Sequence, residues 1–164
     1  MVALIPGRDP TLRGQYVVVG AHFDHLGRSG TFGALDPQAR DAIRNGADDN
    51  ASGTAAIMEL ARLFRANPPR RSLAIVAFSG EELGLLGSGH FVANPPAPFV
   101  TDSVRAMLNF DMVGRVRNDR LLVFGTATAA EWPGILSAAN GPTQFTLAMV
   151  GDGFGPSDHS SFYA

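Results

Sequence analysis

Two runs constrain the fold more than anything else in this chain. Tyr16-Val17-Val18-Val19-Gly20-Ala21 and Leu73-Ala74-Ile75-Val76-Ala77-Phe78 are rich in β-branched residues and contain no charged side chain. A strand with one wet face alternates apolar and polar residues, so an unbroken run needs cover on both faces. Residues 52–66 lie between the two runs and supply that kind of cover. Ile57, Leu60, Ala61 and Phe64 keep the i, i+3, i+4, i+7 spacing of one helix face, while Glu59, Arg62 and Arg65 take the other. Asn50 or Ser52 can cap this helix, and Asn67-Pro68-Pro69 ends it. The alternation extends through a strand at 2–5, a helix at 85–93, strands at 104–110 and 121–124, a helix at 129–139 and a strand at 145–150. Residues 27–45 are Gly-rich and polar and read as a long loop with one helical turn at 38–43; a loop of that length is usually functional or disordered. Buried strands alternating with amphipathic helices predict an α/β fold, a three-layer sandwich around a mostly parallel mixed β-sheet. No linker or repeat interrupts it, so 1–164 reads as a single domain.

The chain has no cysteine, which excludes thiolate nucleophiles and sulfur-ligated zinc and leaves any metal to His, Asp and Glu. Its net charge of −2, with no block of like charges, gives nucleic acid or an anionic membrane no electrostatic support as a partner. No apolar run approaches the ~20 residues of a membrane span.

The polar residues of interest fall just past the strands. His22 and Asp24 follow the first buried run, Asp48 and Asp49 precede the best helix, Glu81 and Glu82 follow the second run, Asp111 follows the next strand, and Asp158 and His159 follow the last. Ligands of open α/β sheets bind beyond the carboxyl ends of the strands, so parallel strands would gather all five segments on one rim. Each has a plainer reading: a hydrogen-bonded histidine, a helix cap, a solvated glutamate pair, the opening of a turn. Together, crowded carboxylates would repel or stay protonated unless cations took up their charge.

Five segments, Gly20-Ala21-His22-Phe23-Asp24-His25-Leu26-Gly27, Asn45-Gly46-Ala47-Asp48-Asp49-Asn50-Ala51-Ser52-Gly53, Phe78-Ser79-Gly80-Glu81-Glu82-Leu83-Gly84, Asn109-Phe110-Asp111-Met112-Val113-Gly114-Arg115 and Pro156-Ser157-Asp158-His159-Ser160-Ser161-Phe162, closely resemble the M28 zinc aminopeptidases, in the family's order and near its spacing. The resemblance implies the zinc-exopeptidase fold and hydrolysis of N-terminal peptide bonds at a dinuclear zinc site, with Co²⁺ or Mn²⁺ as possible substitutes. It implies that His22 and Asp111 bind one zinc, Glu82 and His159 the other, and that Asp49 rather than Asp48 bridges them. Glu81 becomes the general acid/base, and Asp24 the partner behind His22 that fixes its tautomer.

The same resemblance implies a peptide substrate with a free N-terminus and an extracytoplasmic location. In that family the chain continues past the final histidine through a strand and a closing helix, so this sequence is expected to lack both. Alternatives are a glutaminyl-cyclase-like acyltransferase with one zinc and a non-catalytic, receptor-like or truncated domain. His25 is left without a role, and His90 is expected on a helix surface. The glycine-rich stretch 151–155 is discounted as a dinucleotide loop because Pro156 follows it and no helix start does.

Overall fold

A computed structural model describes residues 1–28 and 43–164. The two apolar runs become neighbouring parallel strands, β2 (Tyr16–His22) and β3 (Ser72–Phe78). β1 (Val2–Ile5) pairs antiparallel with β3, and β4 (Val104–Asn109) pairs parallel with β2, giving a mixed sheet in the order β1-β3-β2-β4. Because β2, β3 and β4 run in one direction, His22, Phe78 and Asn109 end on the same rim.

Helix α1 (Gly53–Ala66) lies over one face. Its Ile57, Leu60, Ala61 and Phe64 pack on Val19, Ala21, Leu73 and Ile75, the stripe that the spacing predicts. Alternate residues of the same strands, Val18, Ala74, Val76 and Phe78, point to the opposite face. There Phe91 of α2 (Leu86–Ala93) meets Phe78 at 6.1 Å between ring centres, and Phe162 completes a three-ring cluster. Two covered faces are the three layers expected. They explain why neither run could afford an alternating polar position.

β5 (Arg120–Val123) and β6 (Thr146–Met149) form a separate parallel pair joined through α3 (Trp132–Asn140), so the last two predicted strands do not extend the main sheet. A short α4 (Ser160–Tyr163) follows, below the length at which a periodic pattern is legible. The bridge between Arg28 and Ile43 closes the ends of the long loop, while its expected helical turn lies, apart from Ile43, outside the described residues. Among the described residues no helix is long and apolar enough to cross a membrane.

Candidate metal centre

The end of β2 delivers His22 into the protein, 1% exposed. Its Nδ1–H donates to the backbone carbonyl of Asp24 at 3.1 Å. With that proton fixed, Nε2 of the neutral ring is the bare nitrogen. Nε2 faces Asp49 Oδ1 at 3.2 Å and Asp111 Oδ1 at 3.4 Å, with Glu81 Oε2 at 4.0 Å. The carboxylate of Asp24 stands 3.8 Å from Nδ1 and instead accepts the Glu81 backbone N–H at 3.4 Å. Asp24 thus meets His22 most closely through its backbone carbonyl, while its side chain holds the start of the Glu81-Glu82 segment.

Asp49 is set by the irregular turn Ala47–Ser52 ahead of α1, where Asp49 and Asn50 leave helical geometry. The buried Asn50 stitches this turn to the end of β4. Its Nδ2 donates to the Phe110 carbonyl at 2.9 Å, and its Oδ1 accepts from the N–H groups of Gly53 at 3.0 Å and Met112 at 3.3 Å. Asn50 is thus the cap of α1, whereas the Ser52 hydroxyl turns back to the Asp48 carbonyl. Gly53 is required here, because a Cβ would collide with the Phe110 carbonyl and the Asn50 side chain. The two adjacent aspartates separate cleanly. Asp48 is held by Arg115 at 2.8 Å and by the Gly114 N–H, and these hydrogen bonds keep its carboxyl below the usual range. Among the described residues Asp49 has no such cation, and it faces the histidines.

Asp111 follows β4. Its Oδ2 accepts the Ser157 hydroxyl at 2.6 Å, and Ser157 in turn accepts from Asn109 Nδ2 at 2.7 Å. Its Oδ1 has no hydrogen-bond partner among the described residues and turns toward His22. Burial favours the protonated acid, but the contacts with His22 and Ser157 outweigh it and hold Asp111 below its ordinary pKa. For His22 burial favours the neutral ring, yet Asp111 and Glu81 prevail and push its pKa up to about 9. Burial raises the Glu81 carboxyl to about 7, assisted by the charges of Asp111, Asp158 and Glu82 and opposed by His22. Burial likewise raises Asp158, with Ser88 and His22 opposing, and its two buried carboxylate oxygens meet the geometry of a hydrogen bond with no partner among the described residues.

A second group lies beside the first. His25 Nδ1 is 2.6 Å from Glu82 Oε1 and 3.9 Å from Asp49 Oδ2, so Asp49 turns one oxygen to each histidine. His22, Asp49 and Asp111 form one potential metal-holding set, and His25, Asp49 and Glu82 another. A divalent zinc with tetrahedral bonds of ~2.0–2.2 Å needs donor atoms about 3.3–3.5 Å apart. The 3.2 and 3.4 Å edges of the first set come close to that spacing, and its buried Nε2 and Oδ1 lack hydrogen-bond partners. An all-His/carboxylate set of this kind fits zinc.

His159, expected as a ligand, lies outside both of these sets. Its ring lies 5.6 Å from Phe124, and its Nε2 is buried without a hydrogen-bond partner and so close to Gly155 that a Cβ there would come within 2.6 Å. Burial holds it below its ordinary pKa, with Asp111 opposing. The last segment also reaches the site through Ser157. Sequence reasoning missed Ser157, the Asn50 stitch and His25; for His25 the only signal was its position three residues past His22. His90 is exposed on α2, as expected.

The sequence model of Peptidase family M28 matches residues 1–164. Aminopeptidase YwaD of Bacillus subtilis is 42% identical over 69 residues, 42% of this chain and 15% of that protein. Leucine aminopeptidase 1 of Trichophyton equinum is 34% identical over 123 residues, 71% of this chain and 29% of that protein. The chain therefore spans less than a third of the length of these relatives. Among solved structures, the zinc aminopeptidase BSAP of Bacillus subtilis superimposes with a TM-score of 0.73 at 28% identity, over 98% of this chain and 36% of that one. A glutaminyl cyclase of Bacteroides thetaiotaomicron has a TM-score of 0.70 at 21% identity, over 98% of this chain and 58% of that one, a likeness of fold.

Proposed function

This chain belongs to peptidase family M28, and from that membership we propose that it carries the catalytic machinery of a zinc aminopeptidase, acting on peptides with a free N-terminus. His22, Asp49 and Asp111 hold one zinc ion, and Asp49 and Glu82 contribute to a second. The observation that supports this reading is the disposition of Asp49, with Oδ1 3.2 Å from His22 Nε2 and Oδ2 3.9 Å from His25 Nδ1. A carboxylate that serves two donor sets at once is what a bridge between two cations requires.

Zinc bound there would supply a Lewis acid for the scissile carbonyl and lower the pKa of the attacking water. Glu81 is the residue that moves the proton. It stands within 4.0 Å of His22 Nε2, near the centre of the cluster. In the metal-free chain burial holds it at about 7. Positive charge bound beside it draws that value down and leaves the carboxylate ionised at neutral pH, as a proton acceptor must be. Glu81 then takes a proton from water and returns it to the departing amine nitrogen. Asp24 holds the Glu81 backbone N–H, so the base is aimed from the same loop that orients His22. The preference for a free amine rests on the activity named for YwaD, leucine aminopeptidase 1 and BSAP.

The test couples zinc stoichiometry to turnover of an aminoacyl chromogenic substrate, with and without a chelator. Two zinc ions per chain and chelator-sensitive release support the proposal. A chain that takes up no zinc, or that turns over regardless of chelator, refutes it. One zinc with cyclisation of a glutaminyl peptide would favour the acyltransferase instead, and zinc without turnover a non-catalytic domain.

A further inference from the structure

We infer that the hairpin leaving the site, residues 114–120, is a carboxylate-binding subsite, and that the peptides cleaved here carry acidic side chains downstream of the scissile bond. The inference rests on the aminopeptidase reading above and deepens it by naming a substrate class. The chain runs from Asp111 directly into this hairpin, and the segment that enters it is stitched to the turn that carries Asp49. Met112 N–H donates to Asn50 Oδ1 at 3.3 Å, Val113 N–H to Ser52 Oγ at 3.1 Å and Gly114 N–H to Asp48 Oδ1 at 2.8 Å. Arg115 Nε adds a bond to Asp48 Oδ2 at 2.8 Å. At Gly114 a Cβ would come within 2.8 Å of Asp48 Oδ1, so the two segments touch with no side chain between them. The base of the hairpin therefore has a fixed place beside the site.

Its tip sets two positive charges side by side. Asn118 and Asp119 both have a φ of +52°, the left-handed pair of a two-residue type I′ turn. Arg117 and Arg120 flank that turn as a bridged pair, with the Arg120 N–H donating to the Arg117 carbonyl at 3.1 Å. Bridged residues project from the same face of a hairpin, and like charges placed there repel. Among the described residues neither guanidinium has an ion pair or a side-chain hydrogen bond, although Arg62, Arg70 and Arg115 each hold a carboxylate. Both are exposed. A repelling pair with no counter-charge in the fold is explained by an anion that arrives from outside, and the guanidinium fork matches a carboxylate through two parallel hydrogen bonds. An aminopeptidase substrate has a single residue ahead of the cut, so any more distant contact is downstream. Arg117 lies six residues past Asp111, a span of at most ~20 Å. An extended peptide covers that span in about six residues, which bounds the acidic positions the hairpin can read. The rival reading leaves both arginines merely solvated.

The zinc-loaded chain is given two amidated peptides, Leu-Ala-Ala-Asp-Glu-Ala and its counterpart with Asn-Gln in place of Asp-Glu. The acidic peptide should have the higher kcat/KM by about 3–30-fold, the range for two exposed ion pairs, and the gain should lie in KM. Raising salt from about 20 to about 500 mM should shrink that ratio. Arg117→Gln with Arg120→Gln should bring it to about one, and Arg117→Glu with Arg120→Glu should invert it. Arg62→Gln with Arg65→Gln removes the same charge from the outer face of α1 and should keep the wild-type ratio. A wild-type ratio of one, a ratio untouched by the hairpin variants, or an equal loss in the α1 variant overturns the inference. Fluorescent forms of both peptides are also titrated onto the zinc-free chain. The acidic form should bind more tightly by a similar ratio, and equal affinities overturn the inference. Selective binding without cleavage of either peptide defeats the aminopeptidase reading while upholding the carboxylate subsite. Cleavage of both without selectivity defeats the subsite alone.

Discussion

The raised pKa of His22 makes the metal-free chain behave oddly with pH, and the size of the effect follows from the site. Folding moves this ring from an ordinary value of 6.5 to about 9. A group with a raised folded pKa stabilises the fold fully below its unfolded pKa, and that contribution disappears as pH rises through the folded one. Between 6.5 and about 9 the native chain binds one more proton than the unfolded chain, so stability falls by about 1.4 kcal/mol per pH unit, or about 3 kcal/mol over the window. Glu81 adds a separate loss at lower pH, between 4.5 and about 7, because the fold favours its protonated form. The lowered pKa of Asp111 reflects the same His22 contact from the other side and is counted once. Denaturant midpoints of chelator-treated protein from pH 6 to 10 would show the slope. Asp111→Asn should flatten it and lower the NMR midpoint of His22 by about 1–3 units, the range for losing a close opposite charge. Zinc must displace this proton, so its affinity for the first set should fall roughly tenfold per pH unit below 9. A wild-type stability curve flat from pH 7 to 9, or a His22 midpoint below 7, would refute the reasoning.

Glu81→Gln should bind zinc as wild type does but lose about 10²–10⁴ in kcat, read by stopped assays on an aminoacyl substrate. Asp49→Ala should lose both ions by elemental analysis, whereas Asp48→Asn, which disturbs only the exposed pairing with Arg115, should keep them and change stability by under about 1 kcal/mol. Asn50→Ala leaves the Phe110 carbonyl and the Gly53 and Met112 N–H groups without their partner. It should lower unfolding free energy by about 2–4 kcal/mol in chemical denaturation and weaken zinc at the first set.

The fold was legible wherever one pattern ran long enough. The unbroken runs at β2 and β3 and the stripe of α1 demanded two-sided cover, and Ile57 and Phe64 provide it on one face. Shorter features escaped: α4 spans four residues, and β5 and β6 look in sequence like further strands of one sheet, although they form a separate two-stranded pair. In the site, strand ends predicted that His22 and the segment of Asp111 would share a rim, since parallel register fixes which residues lie there, while Asp49 comes from the turn ahead of α1. Where a loop side chain turns is set by contacts far along the chain. His25 reaches Glu82 across 57 positions, and Ser157 reaches Asp111 across 46.

The amide of Asn50 ties the turn that carries Asp49 to the backbone on both sides of Asp111, through bonds to uncharged backbone groups. The cradle proposed for one zinc ion is therefore joined by neutral contacts that neither a chelator nor a change of counter-ion can strip. Extraction of the metal should leave an intact receptacle, and refilling should proceed without refolding. Exchange of one divalent ion for another becomes a simple substitution at a preformed seat.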